Sequence, residues 1–148
     1  MKIYLAGALF SEADRDWLSG LKRRMEGIGE DVTVIWPYEL ITHQEVHSLG
    51  QEGKLEIFRI CKAHLDKVDM LVAVLDGPQV DDGTAWEIGY FYCKYSDRLP
   101  IIGIRTDFRN AGETRLSTVN AMIEGSCDRI VSSSEELLEA LRGFCVEE

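Results

Sequence analysis

Apolar positions along the chain fall into two alternating patterns, short unbroken runs and stripes spaced three to four residues apart. Ile3 to Ala6 is a short run ending at Gly7 and reads as a first strand. Ser11 stands where it can cap a helix to about Gly27, with Trp17, Leu18, Leu21 and Met25 on one face. Gly27 and Gly29 stop it. The β-branched stretch from Val32 to Trp36 predicts a second strand, closed by Pro37. Tyr38 to Gly53 is polar, weakly patterned and reads as loop. A helical spacing returns from about Lys54, its stripe being Leu55, Phe58, Ile60 or Cys61, and Leu65.

Met70 to Leu75 is the kind of apolar run that fills a buried parallel strand, and Asp76-Gly77-Pro78 breaks it. A second turn, Asp81-Asp82-Gly83, leads into a helix from Thr84 to Tyr95. Pro100 to Ile104 predicts a fourth strand and Arg105 to Arg115 a loop. Leu116 to Glu124 reads as a short helix, and Arg129 to Val131 as a last strand. A serine-capped helix from Ser133 to Phe144 follows, with Leu137, Leu138 and Leu141 inward. Strands alternating with helices predict an α/β fold with a parallel sheet and helices on both faces. Five strands in one domain, residues 1–148, suggest the flavodoxin-like (Rossmann-like) order 2-1-3-4-5, with a crevice beside strands one and three.

Composition narrows the partners. At 148 residues the chain is long enough for a full core without staples. A formal net charge of -10 argues against nucleic acid or an anionic membrane, which both reward basic patches. Cys61, Cys93, Cys127 and Cys145 lie far apart with no Cys-x-x-Cys pair, as reduced cytosolic thiols do. MKIYLAG does not read as a signal peptide, and no run approaches a membrane span. A cytoplasmic protein is expected. His43 and His47 sit four apart, but HQEVH lacks the glutamate of a zinc protease motif and its neighbours show no helical pattern. No metal is expected there.

The segment DMLVAVLDGPQVDDGTAWEIGY, residues 69–90, concentrates the candidate chemistry. Glu87 falls in the first turn of a helix that starts at the carboxyl end of a parallel strand, the edge where such sheets bind ligands. The helix dipole there favours an ionised carboxylate. Asp81, Asp82 and Glu87, set among glycines and an aromatic, suit a neutral polar ligand. Plainer roles stand beside these. Asp82 reads as the helix N-cap, Asp69 as a cap near the third strand, Trp86 as core and His64 as a surface or partly buried side chain. Cys61 has no histidine partner that would make it a nucleophile.

IYLAGALF (3–10), LDKVD with LVAVLDG, DDGTAWEIGY (81–90) and VNAMIEG (119–125) together resemble the nucleoside 2-deoxyribosyltransferase family. The resemblance implies cleavage of the N-glycosidic bond of a 2'-deoxynucleoside and transfer of the sugar to another base, without metal or organic cofactor. It implies Glu87 as nucleophile, Tyr4 holding that carboxylate in line, and Asp81 on the sugar hydroxyls. Gly7, Phe10, Asp82, Gly83 and Met122 are implied around the substrate, with Asn120 supplied by a neighbouring subunit of a homo-oligomer. A carboxylate suits this chemistry, because it stabilises an oxocarbenium-like transition state and then captures it.

One departure stands out. Many family members carry an aspartate near the base where this chain has Cys61, and a thiol replaces a carboxylic acid poorly in protonating a leaving base. Asp69, Asp82, water or a residue of the 38–53 segment remain as proton sources. A related branch hydrolyses deoxynucleoside 5'-monophosphates. Its first loop carries arginine, whereas AGALFS here has no basic residue before Arg15, which favours the free nucleoside. Arg105 and Arg109 follow the fourth strand and stand within reach of a phosphate. A non-catalytic nucleotide-binding or nucleoside-binding domain is the reading from another class. The first loop lacks the G-x-G-x-x-G of dinucleotide sites.

Overall fold

Short apolar strands joined by helical crossovers are the sequence pattern of a parallel sheet. The computed structural model describes residues 1–146, apart from the side chains of His43 and Val146. Its strands are β1 (Lys2–Ala6), β2 (Thr33–Ile35), β3 (Met70–Val74), β4 (Ile101–Ile104) and β5 (Arg129–Val131). All adjacent pairs are parallel and the order is 2-1-3-4-5, as the sequence predicts. The helices are α1 (Glu12–Glu26), α2 (His43–Ser48), α3 (Gly53–Leu65), α4 (Asp82–Tyr95), α5 (Ala121–Glu124) and α6 (Ser134–Val146). Among the described residues no helix is long and apolar enough to cross a membrane.

Alternation along β1 sets the two layers. Ile3 and Leu5 face the core made with Leu18, Leu21 and Met25 of α1 and Leu137, Leu138 and Leu141 of α6. Tyr4 and Ala6 face the opposite core, made with Leu65 of α3 and Ile88 and Phe91 of α4. One strand therefore builds a hydrophobic layer on one side and aims a phenol into the other. Ser11 caps α1 as expected, through a reciprocal pair in which Asp14 N donates to Ser11 Oγ at 3.0 Å and Ser11 N to the Asp14 carboxylate at 3.2 Å.

Several expectations are corrected. The segment read as loop, residues 38–53, contains α2, closed at its start by a capping box in which Thr42 N and Oγ1 donate to Glu45 at 2.8 and 2.7 Å. His47 is thus helical, while the His43 side chain lies outside the described residues. The stripe expected on α3 is buried only at Leu65; Leu55 and Phe58 are exposed, and the start of the helix packs against α2. Trp86 is not core either. It lies half exposed, stacked on Tyr90 at 5.1 Å between ring centroids and edge-on to Phe58 at 5.4 Å. The helix expected over 116–124 shortens to α5, with Asn120 as its cap.

Candidate active site

Tyr4 brings the site together. Its backbone is locked in the middle of the sheet, its ring is fully buried, and its hydroxyl donates to Glu87 Oε1 at 2.6 Å. Glu87 reaches this position because α4 lies on the sheet by the neighbouring positions Thr84, Ile88 and Phe91, all buried. The helix begins earlier than its sequence suggests. Asp81, not Asp82, is the N-cap, accepting from Thr84 N at 3.0 Å and Thr84 Oγ1 at 3.1 Å. Glu87 consequently sits in the second turn, where the helix dipole has faded.

Burial dominates what remains. It pushes the Glu87 carboxyl up from 4.5 to about 7; the Tyr4 hydrogen bond opposes the rise and the charge of Asp81 adds to it. The expectation of a carboxylate held ionised by the dipole is therefore corrected: near neutrality the group is poised between its two forms. The Tyr4 hydroxyl is driven far above its ordinary value by burial and by Glu87, so it stays a donor. The Cys61 thiol is raised as well, by burial first and then by Glu87.

A cavity of about 380 Å³ opens beside Glu87, within the range of small-molecule sites, ~300–1,000 Å³. Gly7, Asp81, Gly83 and Thr84 line it together with Glu87. A Cβ on Gly7 would meet Val74 at 3.2 Å and Leu18 at 3.3 Å, so any larger residue would push those side chains back by a few tenths of an ångström. Phe10 stands at the mouth, largely exposed. Arg15, Pro37, Tyr38, Ile41, Val46, Ile57 and Cys61 complete the wall. Arg15 braces the first loop by donating to Phe10 O at 2.7 Å and Leu9 O at 3.2 Å, with its guanidinium over the Tyr38 ring.

Thr84, Tyr38, Ile41 and Val46 were not singled out from the sequence. The Thr42-x-x-Glu45 capping box was the available signal that residues 38–53 form structure able to wall a site.

Other candidates lie elsewhere. Asp82 is exposed at the start of α4 and does not line the cavity. Asp69 sits at the opposite end of the sheet, accepting from Lys2 N at 2.7 Å, which removes it as a proton donor to the base. Asn120 caps α5, donates to Glu113 and borders a separate cavity of about 210 Å³; Met122 is exposed. Neither lines the Glu87 cavity of its own chain. Arg105 is buried and spends its guanidinium on the carbonyls of Leu75, Gly77 and Arg109, while Arg109 pairs with Asp107. Arg105 thus ties the loops after β3 and β4 together, Arg109 is paired within the loop after β4, and neither is a free phosphate ligand. Among the described residues no cluster of three or more His, Cys, Asp or Glu side chains could hold a metal ion.

Residues 3–147 match the family model described as Nucleoside 2-deoxyribosyltransferase. The chain belongs to the nucleoside 2-deoxyribosyltransferase family. A conserved protein from Enterococcus faecalis V583 is 28% identical, with a TM-score of 0.78 over 96% of this chain and 97% of that one. The 2-deoxyribosyltransferase from Bacillus psychrosaccharolyticus is 25% identical, with a TM-score of 0.73 over 95% and 96%. A 2-desoxiribosyltransferase from Leishmania mexicana, 21% identical with a TM-score of 0.67 over 99% and 97%, shares the fold. A 29-residue stretch, 20% of the chain, is 55% identical to the retinal cone rhodopsin-sensitive cGMP 3',5'-cyclic phosphodiesterase subunit gamma of Bos taurus. The chain spans about a third of that subunit's length (35%), and no activity carries over from it.

A carboxyl that binds its proton more tightly when folded stabilises the fold below pH 4.5, and that contribution is lost as pH rises to about 7. Wild-type stability therefore falls across this interval. Glu87→Gln removes the fall and is more stable than wild type above neutrality by up to ~3 kcal/mol. Melting temperature against pH for both proteins checks it; parallel curves contradict it.

Proposed function

We propose that the chain cleaves the N-glycosidic bond of 2'-deoxynucleosides through a covalent deoxyribosyl ester on Glu87, then transfers the sugar to an acceptor base. Hydrolysis is the side reaction, with water in place of the base. The observation that carries this reading is the 2.6 Å bond from Tyr4 to one oxygen of a carboxyl group whose neighbourhood is otherwise an open cavity. A fixed oxygen leaves the other to approach C1', and a near-attack geometry of this kind is worth several kcal/mol of barrier.

The steps follow from the residues present. Glu87 attacks C1' in its ionised form as the bond to the base nitrogen breaks, and an acylal-type ester forms. Tyr4 stabilises the carboxylate in the free enzyme and orients it. Asp81, at the same helix start, is placed to accept from a sugar hydroxyl, and Gly7 and Gly83 let the sugar approach backbone. The acceptor base then attacks C1' from the face the first base left, restoring Glu87 and the original anomeric configuration.

Free nucleoside rather than 5'-monophosphate is favoured because Arg105 is committed to backbone carbonyls of the loops after β3 and β4 and Arg109 to Asp107 of its own loop. The cation lining the cavity, Arg15, is engaged with two backbone carbonyls. We also propose a homo-oligomer with shared sites. The exposed apolar residues Phe58, Trp86 and Tyr92 on α3 and α4 support self-association, and the placement of Asn120 and Met122 outside their own chain's cavity fits delivery to a neighbour.

Incubation with deoxyinosine, with and without adenine, separates the readings. Deoxyadenosine formed only with adenine means transfer; hypoxanthine and free deoxyribose alone mean hydrolysis; tight binding without base release favours a non-catalytic sensor. Glu87→Ala is expected to lower base release at least ~10³-fold. Tyr4→Phe removes one hydrogen bond to a charged group, ~1.5–3 kcal/mol, so activity falls ~10–100-fold. The acid limb of its kcat/KM profile moves above the wild-type position near 7, since the lost bond favoured the ionised form. An unshifted limb contradicts the role given to Tyr4.

A further inference from the structure

The Glu87 cavity has two chemically different walls. Its polar groups gather where β1 ends and α4 begins: Glu87, Asp81, Thr84 and the backbone of Gly7 and Gly83. The wall from α2, α3 and the loops after β1 and β2 presents Phe10, Tyr38, Ile41, Val46 and Ile57. A sugar whose C1' faces Glu87 sets its hydroxyls against the first wall and projects its base toward the second.

No carboxyl group of the described residues lining the cavity stands on that second wall. Asp81 and Glu87 belong to the start of α4, and Asp81 already accepts two bonds from Thr84. Arg15 donates to backbone carbonyls and cannot release a proton. Cys61 adjoins Glu87, and burial makes its thiol a weaker acid than an ordinary cysteine.

We propose that the base is held by apolar and aromatic contact and departs without a proton from a carboxyl group of the described residues, so that the preferred substrates are 2'-deoxynucleosides of intrinsically acidic bases. This rests on the reading of Glu87 as nucleophile. In the first step the C1'–N bond breaks and its electron pair goes to the base nitrogen, while a bond forms between C1' and a Glu87 oxygen. The base leaves as an anion and takes its proton from water. General acid catalysis ordinarily contributes ~10²–10⁴-fold. Where it is missing, the base's own acidity sets the rate. An apolar wall also discriminates weakly between ring substituents, ~10–200-fold per methylene, unlike one built from hydrogen-bonding groups.

Thymidine and its 5-trifluoromethyl analogue form a near-isosteric pair that differs chiefly in the acidity of the leaving base. Single-turnover base release from each is measured below the pH at which either ring nitrogen ionises. The trifluoromethyl substrate is expected to react ~100-fold faster, with apparent binding constants within a few-fold. With thymidine, release rises through the Glu87 limb and stays level from about pH 7.5 to about pH 9, because no protonated carboxyl group is required. Equal rates for the pair, or a falling alkaline limb with thymidine in that interval, overturn the proposal while leaving the covalent reading intact. Release of base from neither substrate overturns the covalent reading itself.

Discussion

Tyr4 and Glu87 are 83 positions apart, and the bond between them forms only if a strand and a helix are both held in register. Parallel pairing on both sides of β1 fixes Tyr4. Thr84, Ile88 and Phe91 fix α4 against the same sheet face. Burying a carboxyl group is costly unless it is hydrogen-bonded, and the phenol meets that cost only in part, since the carboxyl still rises to about 7. The fold thus holds a strained proton equilibrium at the mouth of the sheet. A carboxyl poised between its two forms near neutrality, partly desolvated and fixed at one oxygen, suits the nucleophile proposed for it.

The surrounding loops serve that carboxyl. Arg105 and Asp76 cross-link the segments after β3 and β4: the guanidinium holds Leu75 O and Gly77 O, and the carboxylate accepts from Thr106 N at 2.6 Å and Asp107 N at 2.9 Å. The turn they brace passes through Gly77 at φ 105, a conformation that suits glycine, and delivers Asp81 to the cap of α4. On the other side Arg15 and α2 shape the apolar wall. The sheet's carboxyl edge therefore carries polar and apolar halves built by different loops.

Much of this was legible in the chain. The strand order followed from five apolar runs with helical spacers, and Ser11, Leu18, Leu21, Met25, Leu137 and Leu141 took the roles their spacing gave them. Tyr4 and Glu87 were legible as chemistry through DGTAWEIGY and IYLAG, but their contact was not, because it depends on the tertiary packing of α4. What failed depends on tertiary surroundings. Leu55, Phe58 and Trp86 have the periodicity of buried positions yet line a surface, since amphipathic spacing reports that a face is apolar and not what covers it. Asp81 and Asp82 are adjacent carboxylates, and only the geometry of the turn decides which one caps. Arg105 looked like a phosphate ligand by position, but the backbone carbonyls of Leu75 and Gly77, in the loop after another strand, had claimed it.

The central claim is that one oxygen of Glu87 bonds to the anomeric carbon. Incubating the protein with a 2'-deoxy-2'-fluoro nucleoside, which slows breakdown of the ester, and mapping the added mass by peptide sequencing tests it directly. The account predicts a single glycosyl adduct on Glu87. An adduct on Asp81, Cys61 or any other residue, or base release with no adduct at all, contradicts it.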